Sequence, residues 1–130
     1  MRILVVDDFL TMRRVVRGFL REMGFDDSDV VEAAHGTAAL EQLRAAPADI
    51  VITDIEMPIL GGFGLLSAIK NDAALRDVPV VMVAAEARKD EIVRSVQAGA
   101  AAYLVKPFTR ETLEEKLRAA VPAAFADRSS

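Results

Sequence analysis

"RILVVDD" occupies residues 2–8, a short apolar run closed by two carboxylates. An apolar run without alternation reads as a strand buried on both faces, the kind found in parallel sheets. The next residues support that reading. Met12, Val15, Val16, Phe19, Leu20 and Met23 recur at the i, i+3, i+4 spacing of one buried helix face, and Gly24 is a plausible stop. The same alternation continues down the chain. "DVVEAA" (29–34), "DIVITD" (49–54), "VPVVMVAA" (78–85) and "AAYLVKP" (101–107) are the other strand candidates. Leu40 and Leu43 seed a second helix, ended before Pro47, and Leu65, Leu66 and Ile69 seed a third. Ile92, Val93 and Val96 seed a fourth, stopped by Gly99, and Leu113, Leu117 and Val121 seed a fifth, ended before Pro122. Strand-helix units repeated in this way predict an α/β fold, a parallel sheet with helices on both faces. Ligands of such sheets sit beyond the carboxyl ends of the strands, where the strand order reverses. A single domain over residues 1–122 is expected, with residues 123–130, "AAFADRSS", as a flexible tail.

Bulk properties narrow the function. The 130 residues suffice for one core, and 52% apolar content fits a packed globule. No apolar run approaches the roughly 18 residues that span a bilayer. "MRILVVDD" holds too short an apolar run for a signal peptide. There is no cysteine, which excludes disulfides and thiolate metal sites. The net charge of −4 gives no basic field for nucleic acid. A cytoplasmic protein with no membrane segment and no DNA-binding domain is the expectation.

Chemistry concentrates at the strand ends. The first candidate strand closes on Asp7 and Asp8, the third on Asp54, and the fifth on Lys106-Pro107. A parallel sheet brings all of these to one edge. Taken singly, each reads as a solvated loop carboxylate or a surface lysine; together they read as a site. Clustered carboxylates repel, and repulsion raises at least one pKa unless a cation resolves it. Oxygen ligands with open water positions suit Mg²⁺. A metal and a lysine facing a carboxylate stabilise charge on a transferred phosphoryl group, and the carboxylate itself can be the nucleophile.

The motifs "LVVDDFLTMRRVVR", "VITDIEMP", "AEARKDEI", "QAGA" and "YLVKPFTRETLEEKL" resemble the receiver domains of two-component response regulators, in particular the single-domain chemotaxis members. The resemblance runs from about Arg2 to Val121. It implies the flavodoxin-like (βα)5 fold, a doubly wound five-stranded parallel sheet of order 2-1-3-4-5. It implies Asp54 as phosphoryl acceptor, Lys106 as the lysine that pairs with the phosphoryl group, and a cis Lys106-Pro107 peptide. It implies Mg²⁺ held by Asp7, Asp8, Asp54 and the Glu56 backbone carbonyl. Tyr103 resembles the aromatic switch of the family. Arg88, Lys89, Ile92, Val96, Tyr103 and Lys116 match the partner-docking surface on the fourth helix, fifth strand and fifth helix. The implied partners are a histidine kinase and a downstream protein such as a flagellar motor switch protein.

Two departures stand out. The family keeps Thr or Ser at the end of the fourth strand, where its hydroxyl bonds a phosphoryl oxygen; this chain has Ala84. Transfer to Asp54 needs no hydroxyl there, so the expected loss is in transmission to Tyr103. A charge-assisted hydrogen bond is worth about 1.5–3 kcal/mol, enough to move a two-state population tenfold. Gly61 stands where an acidic residue is common, which predicts a looser loop.

Other residues carry weaker signals. Glu56 and Glu86 flank the acceptor and read either as exposed loop acids or as residues that tune hydrolysis. Arg13, Arg17 and Arg21 recur every fourth residue on the first helix. A solvated stripe is the default reading, and a site for an acidic partner or an anionic second messenger is the functional one. His35 reads as structural, Met12 and Met23 as core fillers. Ile92 and Val96 share a helix face that is either core or docking surface, and Ile92 against Val93 decides which.

Three functions compete. The first is a phosphorylation-controlled binding module without enzymatic turnover of a separate substrate. The second is a weakly switching phosphate sink, or a binding module indifferent to phosphorylation, because of Ala84. The third is a Mg²⁺-dependent phosphohydrolase of the haloacid dehalogenase kind, which needs Asp where this chain has Glu56 and a cap domain that the chain lacks.

Overall fold

The computed structural model describes residues 1–125. The sheet strands are β1 (Ile3–Val6), β2 (Val30–Ala33), β3 (Ile50–Asp54), β4 (Val80–Ala84) and β5 (Ala102–Val105). The helices are α1 (Leu10–Glu22), α2 (Gly36–Ala45), α3 (Gly62–Lys70), α4 (Lys89–Gln97) and α5 (Arg110–Ala120). All strand pairs are parallel, in the order β2-β1-β3-β4-β5. The expected flavodoxin-like (βα)5 topology is therefore present. The chain leaves β1 toward one edge and returns past it to β3, so the order reverses between β1 and β3. The carboxyl ends of those two strands are where such folds place their ligands.

The unbroken apolar strands are explained by two cores, one on each face. Ile3, Val5, Ile52, Val81 and Val83 point to one side, where Val16 and Leu20 of α1 and Leu113 and Leu117 of α5 cover them. Leu4, Val6, Val51, Val80 and Met82 point to the other, under Leu40, Leu43, Leu65, Leu66 and Ile69 of α2 and α3. Each buried leucine or isoleucine contributes about 1.5–3 kcal/mol relative to exposure.

Helix ends follow local chemistry. The Thr109 hydroxyl accepts from the Thr112 N–H at 3.1 Å and starts α5. His35 Nδ1 accepts from the Ala38 N–H at 3.2 Å and starts α2, so the lone histidine is a cap. Gly24 and Gly99 follow α1 and α4 with φ of 96° and 92°, a conformation that costs glycine little.

Three sequence expectations need correction. Val15 lies 39% exposed, outside the buried face that Val16, Leu20 and Met23 share. In α4 the seeding residues all face solvent: Ile92 is 37%, Val93 48% and Val96 70% exposed. The buried residue of that helix is Ser95, so neither Ile92 nor Val93 is core. The Gly61 loop is crossed by Gly62 N–H to Ile55 O at 2.8 Å and Gly36 N–H to Leu60 O at 3.0 Å, and a Cβ at Gly61 would meet the Ile55 carbonyl oxygen at 2.9 Å, so the position is tight for any larger residue. Of the tail expected over 123–130, Ala123, Ala124 and Phe125 belong to a 3-10 turn, and Phe125 is buried against Phe25. Residues 126–130 lie outside the described residues.

Candidate functional site

β1 gives way to Asp7 and Asp8 just where its last ladder bond forms, Asp7 N–H to Ala33 O at 3.1 Å. The neighbouring β3 ends on Asp54, and β5 is followed by Lys106 and a cis Lys106-Pro107 peptide. Parallel pairing brings these ends together. Carboxylate oxygens of Asp7, Asp8 and Asp54 all lie within 4.8 Å of one another. The Lys106 ammonium reaches Asp7 Oδ2 at 2.9 Å and Asp54 Oδ1 at 3.4 Å. The chain separation from Asp7 to Lys106 is 99 residues, so this pair exists through topology alone.

Asp7 and Asp54 are buried, with 4% and 6% of their surface exposed. Burial pushes the Asp54 carboxyl up to about 6; Lys106 opposes this, and Asp7 and Asp8 add to it. At neutral pH the group is ionised in most molecules and still binds a proton more readily than an ordinary aspartate. Burial works against a charged Lys106, but the Asp7 hydrogen bond and the two aspartate charges outweigh it, leaving the ammonium pKa raised. One Asp54 oxygen accepts from the Ile55 N–H at 3.0 Å, and Asp7 Oδ1 accepts from the Phe9 N–H at 2.9 Å. Three carboxylates this close, with excess negative charge, fit a hard divalent cation.

Beside this pocket Ala84 is buried at the end of β4. A small recess of about 70 Å³ opens there, lined by Ile55, Glu56, Ala84, Ala85, Glu86, Arg88 and Glu91. Glu56 and Glu86 are exposed on its lip, and Arg88 pairs with Glu86 at 2.6 Å. The Tyr103 hydroxyl donates to Glu91 Oε1 at 2.7 Å and to the Glu86 carbonyl at 3.2 Å. Burial and the Glu91 hydrogen bond push the phenol up to about 12. Glu91 was not among the expected site residues. Its sequence signal is slight, one acid among several at a helix start.

The expected docking residues differ in exposure. Arg88 and Lys89 are exposed, as are Ile92 and Val96, and Tyr103 and Lys116 are half-buried. The arginine stripe is not a free basic surface. Arg13 and Arg17 each bond Glu32 at 2.9 Å, and Arg17 and Arg21 bond Asp27 at 2.9 and 3.1 Å. No helix among the described residues is long and apolar enough to cross a membrane.

Comparison with known proteins agrees with this geometry. The sequence profile of the "Response regulator receiver domain" family matches residues 3–118. The chain is 46% identical over 117 residues to the chemotaxis protein CheY of Pseudomonas aeruginosa, covering 90% of this chain and 93% of that one. It is 47% identical to CheY-3 of Vibrio cholerae, covering 90% and 88%. Among solved structures, Vibrio cholerae CheY4 superposes with a TM-score of 0.83 at 31% identity, covering 92% and 97%. A putative response regulator from Chloroflexus aurantiacus superposes with a TM-score of 0.86 at 27% identity, covering 93% and 97%. A profile match across most of the chain, and relatives this similar over nine-tenths of it, place this protein in the response regulator receiver domain family.

Proposed function

We propose that the chain is a phosphorylation-controlled signalling module that takes a phosphoryl group on Asp54 from a histidine kinase and passes the signal on by protein contact, in chemotaxis or motility. The observation that carries this is the convergence of Asp7, Asp8 and Asp54, carboxylate oxygens within 4.8 Å of one another, with Lys106 in salt-bridge contact with Asp7 and Asp54 at one sheet edge. In the transfer, an Asp54 oxygen attacks phosphorus, the phosphorus–nitrogen bond of the donor histidine breaks, and its electron pair stays with the imidazole. The product is an acyl phosphate. Lys106 neutralises charge on the phosphoryl oxygens while it keeps Asp7 in place. Asp7, Asp8, Asp54 and the Glu56 carbonyl would hold Mg²⁺, which when bound supplies charge stabilisation for the phosphoryl oxygens. Glu56 and Glu86, on the lip of the recess, influence the access of water and donor.

The output surface in this reading is α4–β5–α5, with Arg88, Lys89, Ile92, Val96, Tyr103 and Lys116. Exposed Ile92 and Val96 beside basic residues suit an acidic amphipathic helix, such as a segment of a flagellar motor switch protein. The relatives named for chemotaxis support this assignment.

A second reading rests on Ala84. With no hydroxyl at the recess, and with Tyr103 already tied to Glu86 and Glu91, phosphorylation has less to change on the output face. The protein then acts as a phosphate sink, or binds its partner in either state. Pull-down with and without beryllofluoride, a phosphoryl mimic, in the presence of Mg²⁺ separates the two. Partner capture that rises with beryllofluoride supports switching, and equal capture supports the second reading. For Ala84→Thr, beryllofluoride is expected to shift the Tyr103 NMR signals further than in wild type. A wild type that already shifts fully contradicts the coupling role given to the missing hydroxyl.

A further inference from the structure

The arginine stripe of α1 has a role that neither a solvated face nor an anion site describes. Arg13 Nη1 donates to the Asp7 main-chain carbonyl at 2.6 Å, and its Nε donates to Glu32 Oε1 on β2 at 2.9 Å. Glu32 Oε2 accepts from Arg17 Nε at 2.9 Å, and Arg17 continues to the Val30 carbonyl and to Asp27, both at 2.9 Å. The Arg13, Arg17 and Glu32 side chains are 15%, 20% and 24% exposed, too covered for a free docking surface. The result is a ladder of charge-assisted bonds that begins at the edge strand and ends on the backbone of the acidic pocket.

Its last rung matters because of where Asp7 lies. β1 ends at Val6, and the Asp7 carbonyl falls beyond the last residue of the ladder that would pair it. A backbone carbonyl at a buried residue needs a partner, and Arg13 supplies it. That carbonyl belongs to the Asp7–Asp8 peptide. Fixing it fixes the peptide plane, and with it the directions in which both carboxylates leave the backbone. The Asp7 carboxylate is held independently, by Lys106 and the Phe9 N–H. Asp8 is more exposed and depends on the backbone for its aim.

We infer that Arg13 is a positioning residue for the cation site: oriented by Glu32, it pins the Asp7–Asp8 peptide so that both carboxylates face the ion before it arrives. This rests on the reading of the acidic pocket as a divalent-cation site. Electrostatics alone predicts the opposite sign, since a guanidinium this close repels a cation. A substitution that keeps the charge and removes the planar fork therefore isolates the positioning effect.

The test is calorimetric titration of the protein with Mg²⁺ alone, at fixed ionic strength, for wild type, Arg13→Lys, Arg17→Lys and Asp8→Asn, with a urea melt of each. Partners that orient metal ligands typically contribute about tenfold or more in affinity. Arg13→Lys is expected to bind Mg²⁺ about tenfold more weakly. Arg17→Lys, which pairs the same Glu32 without touching Asp7, is expected to stay within about twofold of wild type while losing stability. Arg13→Lys within about twofold of wild type overturns the inference, as does an equal loss in Arg17→Lys, which would show an effect of stability alone. Asp8→Asn tells the two levels apart. If it binds Mg²⁺ as wild type does, the cation-site reading fails and the inference with it. If it binds weakly while Arg13→Lys does not, only the inference fails.

Discussion

Asp54 is a carboxylate held where a carboxylate is costly. Its raised pKa, about 6, fixes the sign of a stability effect. The folded state binds the proton more tightly than the unfolded chain, so stability falls as pH rises from about 4 to about 6 and stays reduced above that. In the absence of divalent cation, Asp54→Asn is therefore expected to stabilise the protein at pH 8 by about 1–2 kcal/mol and to be nearly neutral at pH 4. Urea melts at the two pH values measure this. Added Mg²⁺ should favour wild type over the variant, since a ligand of the folded state stabilises it. Ile59 carries a different strain. It is 77% exposed with φ 72°, and Leu60 N–H bonds the Pro58 carbonyl across it at 2.8 Å, a γ-turn with positive φ at a β-branched residue. Relief of that strain outweighs the entropy cost of glycine, so Ile59→Gly should gain about 0.5–1 kcal/mol, read from the shift in the urea midpoint.

At the scale of elements, α4 is the exception in an otherwise consistent packing pattern. Its apolar residues face solvent, and its buried residue is a serine whose hydroxyl has no hydrogen-bond partner among the described residues. The hydroxyl of Tyr103, at β5, ties it down through Glu91. Glu91→Ala removes that acceptor and its charge, so the Tyr103 phenol should ionise at lower pH than about 12. With one Tyr and no Trp in the chain, an ultraviolet absorbance titration reports this residue alone. An unchanged titration would mean that burial, not Glu91, holds the phenol. This element also shows where sequence reading ends. Period and hydrophobicity locate α1, α2, α3 and α5, because in them most of the apolar stripe is covered, Val15 of α1 being an exception. For α4 the same signal marks the helix but leaves its face open between core and docking surface, since the period alone does not say which side is covered. The turn at Pro122–Phe125 was missed for a related reason. A single Phe125 among alanines has no period, and its burial depends on Phe25, far away in the chain.

At the scale of the molecule, the site was legible because topology did the assembling. Once the strands were read as parallel, carboxylates at the ends of β1 and β3 and a lysine after β5 had to share an edge. What could not be read was the bonding between elements, such as Glu32 between two arginines or Glu91 under Tyr103. Those contacts depend on side-chain directions that no local pattern encodes. The chemistry proposed for this edge rests on Asp54. Incubation with a small phosphoryl donor such as acetyl phosphate and Mg²⁺, followed by intact-mass spectrometry, tests it directly. The expected result is a gain of one phosphoryl group in wild type, abolished in Asp54→Asn and when EDTA replaces Mg²⁺. Equal incorporation in Asp54→Asn, or none in wild type with Mg²⁺ present, would contradict it.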